Sequence, residues 1–266
     1  IANYHRDGMG DTLMAERNKL EEFTKTKILL VEGQDEVNLF TELLADIGLG
    51  NDVQVIEVGG TEKFAKELPV LKKRSGFHEI ITSIGVVRDA DSDPQGAFQS
   101  ICSALHKAKL PEPTAPLCPK AGPPQVTAMI VPDANTSGML ESVCLNSVSD
   151  DPAMACVEQY FQCLRERQRI LAENVMPKAR VGVFLASREW LEIAHFEYLQ
   201  RCMNNYEQTV PMSAAVAVPK VHAFLASRYT PCLSLGIACQ KSERDDRYFQ
   251  FNHPAFDNIK QFLRML

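Results

Sequence analysis

The chain has 266 residues, 45% of them apolar and 23% charged, with 14 Gly and 15 Pro. This is ordinary globular composition and excludes collagenous, disordered and disulfide-scaffold classes. Lys and Arg number 28 against 34 Asp and Glu, a net charge of −6. That balance argues against tight, indiscriminate adhesion to nucleic acid, which comes mainly from neutralising phosphates, unless a local basic patch or bound cations supply the positive charge.

Residues 1–24 lack the charged, apolar and cleavage regions of a signal peptide and carry little weight here. Lys27–Val31 is a short apolar run that stops at Glu32-Gly33. From Asp35 to Ala45 the apolar positions Val37, Phe40, Leu43 and Leu44 follow a helical period. Val53–Val58 alternates like a strand and ends in Gly59-Gly60; Thr61 then caps a helix from Glu62 to about Leu68, which Pro69 ends or kinks. Glu79–Val87 reads as a buried strand running into Arg88-Asp89-Ala90-Asp91-Ser92-Asp93, and Pro94 opens a helix to about Lys107.

Leu110–Pro124 is proline-rich and reads as a linker or surface excursion, after which Gln125–Val131 is one more strand. Strands alternating with helices predict an α/β fold, a parallel sheet of about four strands with flanking helices. From Asp151 onward the pattern is mainly helical, with Met154, Val157, Tyr160, Phe161 and Leu164 on one face. We therefore expect an α/β unit over 25–150 and a helical region over 151–266 that completes or caps it. The segment Phe184–Arg188 recurs at Phe224–Arg228, each preceded by a Pro-Lys pair, either as a duplicated helical hairpin or as two similar amphipathic helices.

The eight cysteines form no Cys-x-x-Cys pair, and several, such as Cys156 and Cys239, have apolar neighbours. Free, buried thiols in a reducing cytoplasm account for them best. No apolar run is long enough to span a membrane.

The acids are not scattered. Glu32 follows the first strand, and Asp89, Asp91 and Asp93 follow the third. In an open parallel sheet, residues just past the carboxyl ends of strands line the ligand crevice. If strands one and three are neighbours with strand two outside them, Glu32 and the Asp pair converge. Carboxylates gathered there raise one another's pKa, and a divalent cation resolves the conflict; all-oxygen ligation favours Mg²⁺ or Mn²⁺. The alternative is a set of caps and solvated loop acids. A calcium loop fails, because its sixth and twelfth positions are Pro94 and Ser100. A haloacid-dehalogenase-type phosphatase also uses Asp-x-Asp after a strand, but normally the first strand, and two strand-helix units precede the pair here.

Leu29-Leu30-Val31-Glu32-Gly33, with Asp35-Glu36 beyond it, resembles the first motif of the Toprim domain, and Val86-Val87-Arg88-Asp89-Ala90-Asp91 is similar to its Asp-x-Asp motif. The resemblance covers about Lys27 to Val148 and is greatest to small stand-alone Toprim-like proteins and the Toprim part of OLD-type nucleases. Those sites carry a second acid one turn after the first, matched by Glu36, and a Ser/Gly-x-Leu-Glu segment, matched by Ser137-Gly138-Met139-Leu140-Glu141. They also use a downstream lysine. Lys220 and Lys178 are the candidates, and Lys220 is preferred because it shares a helical face with Phe224.

The resemblance implies Asp89 and Asp91 as metal ligands, with Glu141 or Asp93 assisting. Glu32 would be a general acid/base, or would ligate a second metal with Glu36, and a lysine would stabilise developing charge. The expected activity is a Mg²⁺- or Mn²⁺-dependent nuclease or related phosphoryl transfer. The alternatives are a catalytically weak metal- or partner-binding module and, more distantly, the phosphatase. Basic help is limited to Lys72-Lys73-Arg74 and to Arg165, Arg167, Arg169, Lys178 and Arg180, so the chain alone should hold nucleic acid weakly. No Walker A loop, GxGxxG or GxSxG occurs. OLD-type relatives carry an ATPase, so a separate ATPase partner is expected.

Overall fold

A computed structural model of the chain describes residues 22–169, 171–187 and 249–266. Four parallel strands, β1 (Lys27–Val31), β2 (Val53–Glu57), β3 (Ser83–Asp89) and β4 (Gln125–Val131), form a sheet in the order β2-β1-β3-β4. Helices α1 (Gln34–Asp46), α2 (Phe64–Lys72), α3 (Phe77–Ile80) and α4 (Pro94–Ala108) connect them, and α5 (Leu140–Asn146), α6 (Pro152–Glu166), α7 (Met176–Ala186) and α8 (Asp257–Arg264) follow. The fold is α/β, as the alternation of strand and helix patterns predicts.

Period-two alternation divides the interior into two layers. Leu29, Val31, Val87, Met129 and Val131 face one side, where α1 and α5–α8 supply Phe40, Leu43, Leu140, Phe161, Phe184 and Phe262. Ile28, Leu30, Ile84, Val86, Val126 and Ile130 face the other, against Phe64, Leu68, Phe77, Ile101 and Leu105 of α2–α4. The described C-terminal segments thus complete the core of the sheet. Leu266 reaches Gly85 of β3, where an added Cβ would stand 2.8 Å from a Leu266 methyl. On α6, Val157 and Phe161 are buried, with Met154, Tyr160 and Leu164 packed beside them, the face read from spacing.

Four local expectations need correction. The third strand starts at Ser83 rather than Glu79, because Phe77–Ile80 forms a helical turn that buries Phe77. Pro69 does not end α2, which runs on to Lys72; burial of Phe64, Leu68 and Leu71 on one face outweighs one missing amide donor. Thr61 makes no side-chain cap, since Gly60 occupies the N-cap of a short 3-10 turn at Thr61–Lys63. Cys156 and Cys118 are exposed, whereas Cys144 is buried. Among the described residues no helix is long and apolar enough to cross a membrane.

Candidate functional site

From β1 the chain moves outward to β2, and from β3 outward to β4, so the direction reverses between β1 and β3. This topological switch point opens a crevice at the carboxyl ends of the two central strands. Glu32 leaves β1 there and Asp89 closes β3. The main chain fixes both. The carbonyl of Glu32 accepts from the amides of Gly59 and Gly60, each at 2.8 Å, and the Ala90 amide donates to the Val131 carbonyl at 2.8 Å.

The segment after β4 is bound to the Asp-x-Asp loop. Asp91 and Gly138 exchange two backbone hydrogen bonds, both 2.8 Å, as an isolated antiparallel bridge. Asp91 has φ +50° and Gly138 φ +144°. The Gly138 backbone is open to few residues other than glycine, and a Cβ there would lie 3.2 Å from Pro132 Cδ and Ser142 Oγ. Beyond the bridge, the Leu140 amide donates to Asp89 Oδ1 at 3.0 Å, and Glu141 is carried, buried, in the first turn of α5.

Four carboxyl groups share this crevice: Glu32, Glu36, Asp89 and Glu141. Burial pushes Glu32 up to about 7, helped by the charge of Glu36 and weakly by Asp91, while Arg88 and the Asp89 amide pull it down. Burial, then the charges of Glu141, Glu36 and Glu32, raise Asp89 well above the usual carboxylate range. Glu36 and Glu141 are raised by burial as well, against the pull of Lys178. Lys178, in the first turn of α7, lies 3.8 Å from Glu141 Oε1. It loses to burial but gains more from Glu141, Glu36, Asp89 and Asp35, and its pKa rises.

The structure therefore brings Glu32, Glu36, Asp89 and Glu141 together, with exposed Asp91 close enough to act on Glu32. Asp93 is used differently. It is the N-cap of α4, exposed, with Oδ1 accepting from the Gly96 amide at 2.9 Å. Lys220 lies outside the described residues, as do Phe224–Arg228.

Two cations, Lys178 and Arg88, stand against these acids. The sequence favours Lys220 over Lys178, but a lysine in the first turn of a helix stands against the positive end of the helix dipole and calls for compensating acids. Arg88 lay unassigned inside the second motif. Continuing the β1–β3 register from Leu30 opposite Val86 by two residues puts Glu32 beside Arg88 on one face. Arg88 Nε indeed stands 3.6 Å from Glu32 Oε1, with both side chains 17% exposed. Neither atom has a hydrogen-bond partner.

The donors are all carboxylate oxygens, one of them buried and unsatisfied, and burial, with mutual repulsion added, raises their pKa values together. That chemistry fits a hard divalent cation such as Mg²⁺ or Mn²⁺. Among the described residues no group of three or more His, Cys, Asp or Glu side chains is arranged, as it stands, to hold a metal ion; Arg88 and Lys178 serve as the counter-charges instead.

No curated protein and no solved structure matches the chain. Residues 26–210 match the family described as "Protein of unknown function (DUF3226)", a span that takes in the sheet and the whole carboxylate crevice. The chain belongs to that family.

Proposed function

We propose that the chain is a Toprim-like, Mg²⁺- or Mn²⁺-dependent nuclease or related phosphoryl-transfer protein acting on nucleic-acid phosphodiesters. The observation that carries this reading is the gathering of Glu32, Glu36, Asp89 and Glu141 at the switch point, at the cost of raised pKa values. Carboxylates held against their own repulsion store an affinity for cations, and perturbed groups in a cleft mark functional sites.

Asp89, Asp91, Glu36 and Glu141 would hold one cation, and Glu32 would either ligate a second one with Glu36 or act as the general acid/base. When bound, the cation supplies charge neutralisation to a phosphodiester and lowers the pKa of water. The chain's own groups have separable tasks. Glu32, with a pKa near 7, is suited to accept a proton from an attacking water and return it to a leaving oxygen. Lys178 sets a fixed positive charge beside the acids, where negative charge on phosphoryl oxygens would be stabilised. The bridge between Asp91 and Gly138 locks the loop bearing the Asp pair to the segment bearing Glu141.

The experiment is nicking of single- and double-stranded DNA and RNA by the purified chain with Mg²⁺ or Mn²⁺. Weak cleavage is expected, falling with salt, abolished by Asp89→Ala and strongly reduced by Glu32→Gln. Intact substrates with both metals, and an Asp89→Ala protein unchanged in every property, would leave a metal- or partner-binding module in its place. A separate ATPase that delivers or licenses the substrate is the partner this reading calls for.

A further inference from the structure

The Glu32–Arg88 pair is poorly built for a structural ion pair. A strong buried pair is bidentate and hydrogen-bonded, so that the lost hydration of each charge is offset. Here the nearest approach is 3.6 Å, and both Glu32 Oε1 and Arg88 Nε are buried without a hydrogen bond. The guanidinium compensates charge while leaving the carboxylate oxygen without a hydrogen bond. Any cation that takes Oε1 must contend with that guanidinium, since both act on the same oxygen.

We propose that Arg88 is an exchangeable internal counter-ion, holding Glu32 while no divalent cation is bound and giving it up when one enters. This deepens the metal-site reading and rests on it. Arg88 then sets the metal concentration at which the site fills. It also keeps the empty crevice from collecting adventitious cations. Its position in β3, opposite the end of β1, makes the exchange a local side-chain movement that leaves the sheet unchanged.

The test compares the unaltered chain and Arg88→Gln by Mn²⁺ titration calorimetry and by melting in EDTA and in Mn²⁺. Arg88→Gln should melt lower in EDTA, bind Mn²⁺ about tenfold more tightly, and gain more in Tm from the metal than the unaltered chain does. Binding that is equal or weaker in a folded Arg88→Gln protein overturns the exchange and leaves the metal site standing. Mn²⁺ bound by neither protein overturns both. The Arg88 Nε–H NMR signal of the unaltered chain gives a second measurement that does not depend on the variant folding. It should shift as Mg²⁺ is added, and a signal unmoved at saturating Mg²⁺ would again rule out the exchange.

Discussion

The main-chain amide of Leu140 donates to Oδ1 of Asp89 across 51 residues of sequence, at 3.0 Å. This bond joins the end of β3 to the start of α5 and delivers Glu141 to the same crevice. It also separates the structural use of Asp89 from its charge, because an amide oxygen accepts the same hydrogen bond.

Asp89→Asn should therefore keep the link to Leu140 while removing a charge that Glu141, Glu36 and Glu32 all oppose. The variant is expected to be as stable as the parent in EDTA or more stable by about 1 kcal/mol. It should lose the thermal gain from Mn²⁺ and at least about 100-fold of any metal-dependent cleavage. Denaturant melts with and without metal check both halves, and a variant destabilised by more than about 2 kcal/mol would show that Asp89 is chiefly a structural acid.

The raised carboxyl groups fix the sign of the pH dependence. Glu32 moves from 4.5 to about 7 on folding. Between those values the native chain binds more protons than the unfolded one, so without metal its stability falls as pH rises. Glu36, Asp89 and Glu141 shift in the same direction. For Glu32 alone the loss is on the order of 2 kcal/mol, and Glu32→Gln should flatten that part of the curve. Saturating Mg²⁺ should offset the fall, because it binds the ionised forms. Urea melts at pH 5 and pH 8 in EDTA decide the matter; greater stability at pH 8 would contradict the shared raised pKa values.

Much of this arrangement is legible in the sequence, because the apolar runs Lys27–Val31, Val53–Glu57 and Gln125–Val131 have the length and periodicity of buried strands. Placing strand two outside strand one makes Glu32 and Asp89 converge, and the order β2-β1-β3-β4 does so. Local propensity misled where burial outweighed it. Phe77 turns Glu79-Ile80 into a helix although the segment reads as strand, and three buried side chains carry α2 through Pro69. Asp93 sits in the acidic run but spends its carboxylate on a helix cap, a choice that spacing alone does not reveal. Lys178 is one of two candidate lysines in the sequence and Arg88 lies in the second motif, but their partners are distant in sequence: one pairing needs the strand register, the other the packing of α7 against α5.

The Gly138 bridge makes a prediction about geometry rather than charge. At φ +144° an alanine is strained whatever the space, and its Cβ would press on Pro132 and Ser142. Gly138→Ala should cost about 1–3 kcal/mol and loosen the pairing with Asp91. Because that pairing fixes the loop that carries the metal-site acids, the thermal gain from Mn²⁺ should shrink as well. A loss under about 0.5 kcal/mol, the range of an ordinary surface change, would mean that the bridge is dispensable.

Lys178 offers the sharpest division between stability and function. Its side chain is 61% exposed and its nearest approach to Glu141 is 3.8 Å, so the pair contributes at most about 0.5 kcal/mol to folding after solvent screening. Lys178→Met should therefore melt within a degree or two of the parent in EDTA. If the lysine stabilises charge on phosphoryl oxygens, cleavage should fall by about 10–100-fold, with Lys178→Arg recovering part of it. Glu141 becomes a more exposed negative charge once its partner is gone, so Mn²⁺ binding should hold or tighten in the same variant. Calorimetry and nicking assays on one preparation then separate the two roles. Cleavage and metal affinity lost together would place Lys178 in the architecture of the acid cluster, whereas cleavage lost with metal retained assigns it to the chemistry.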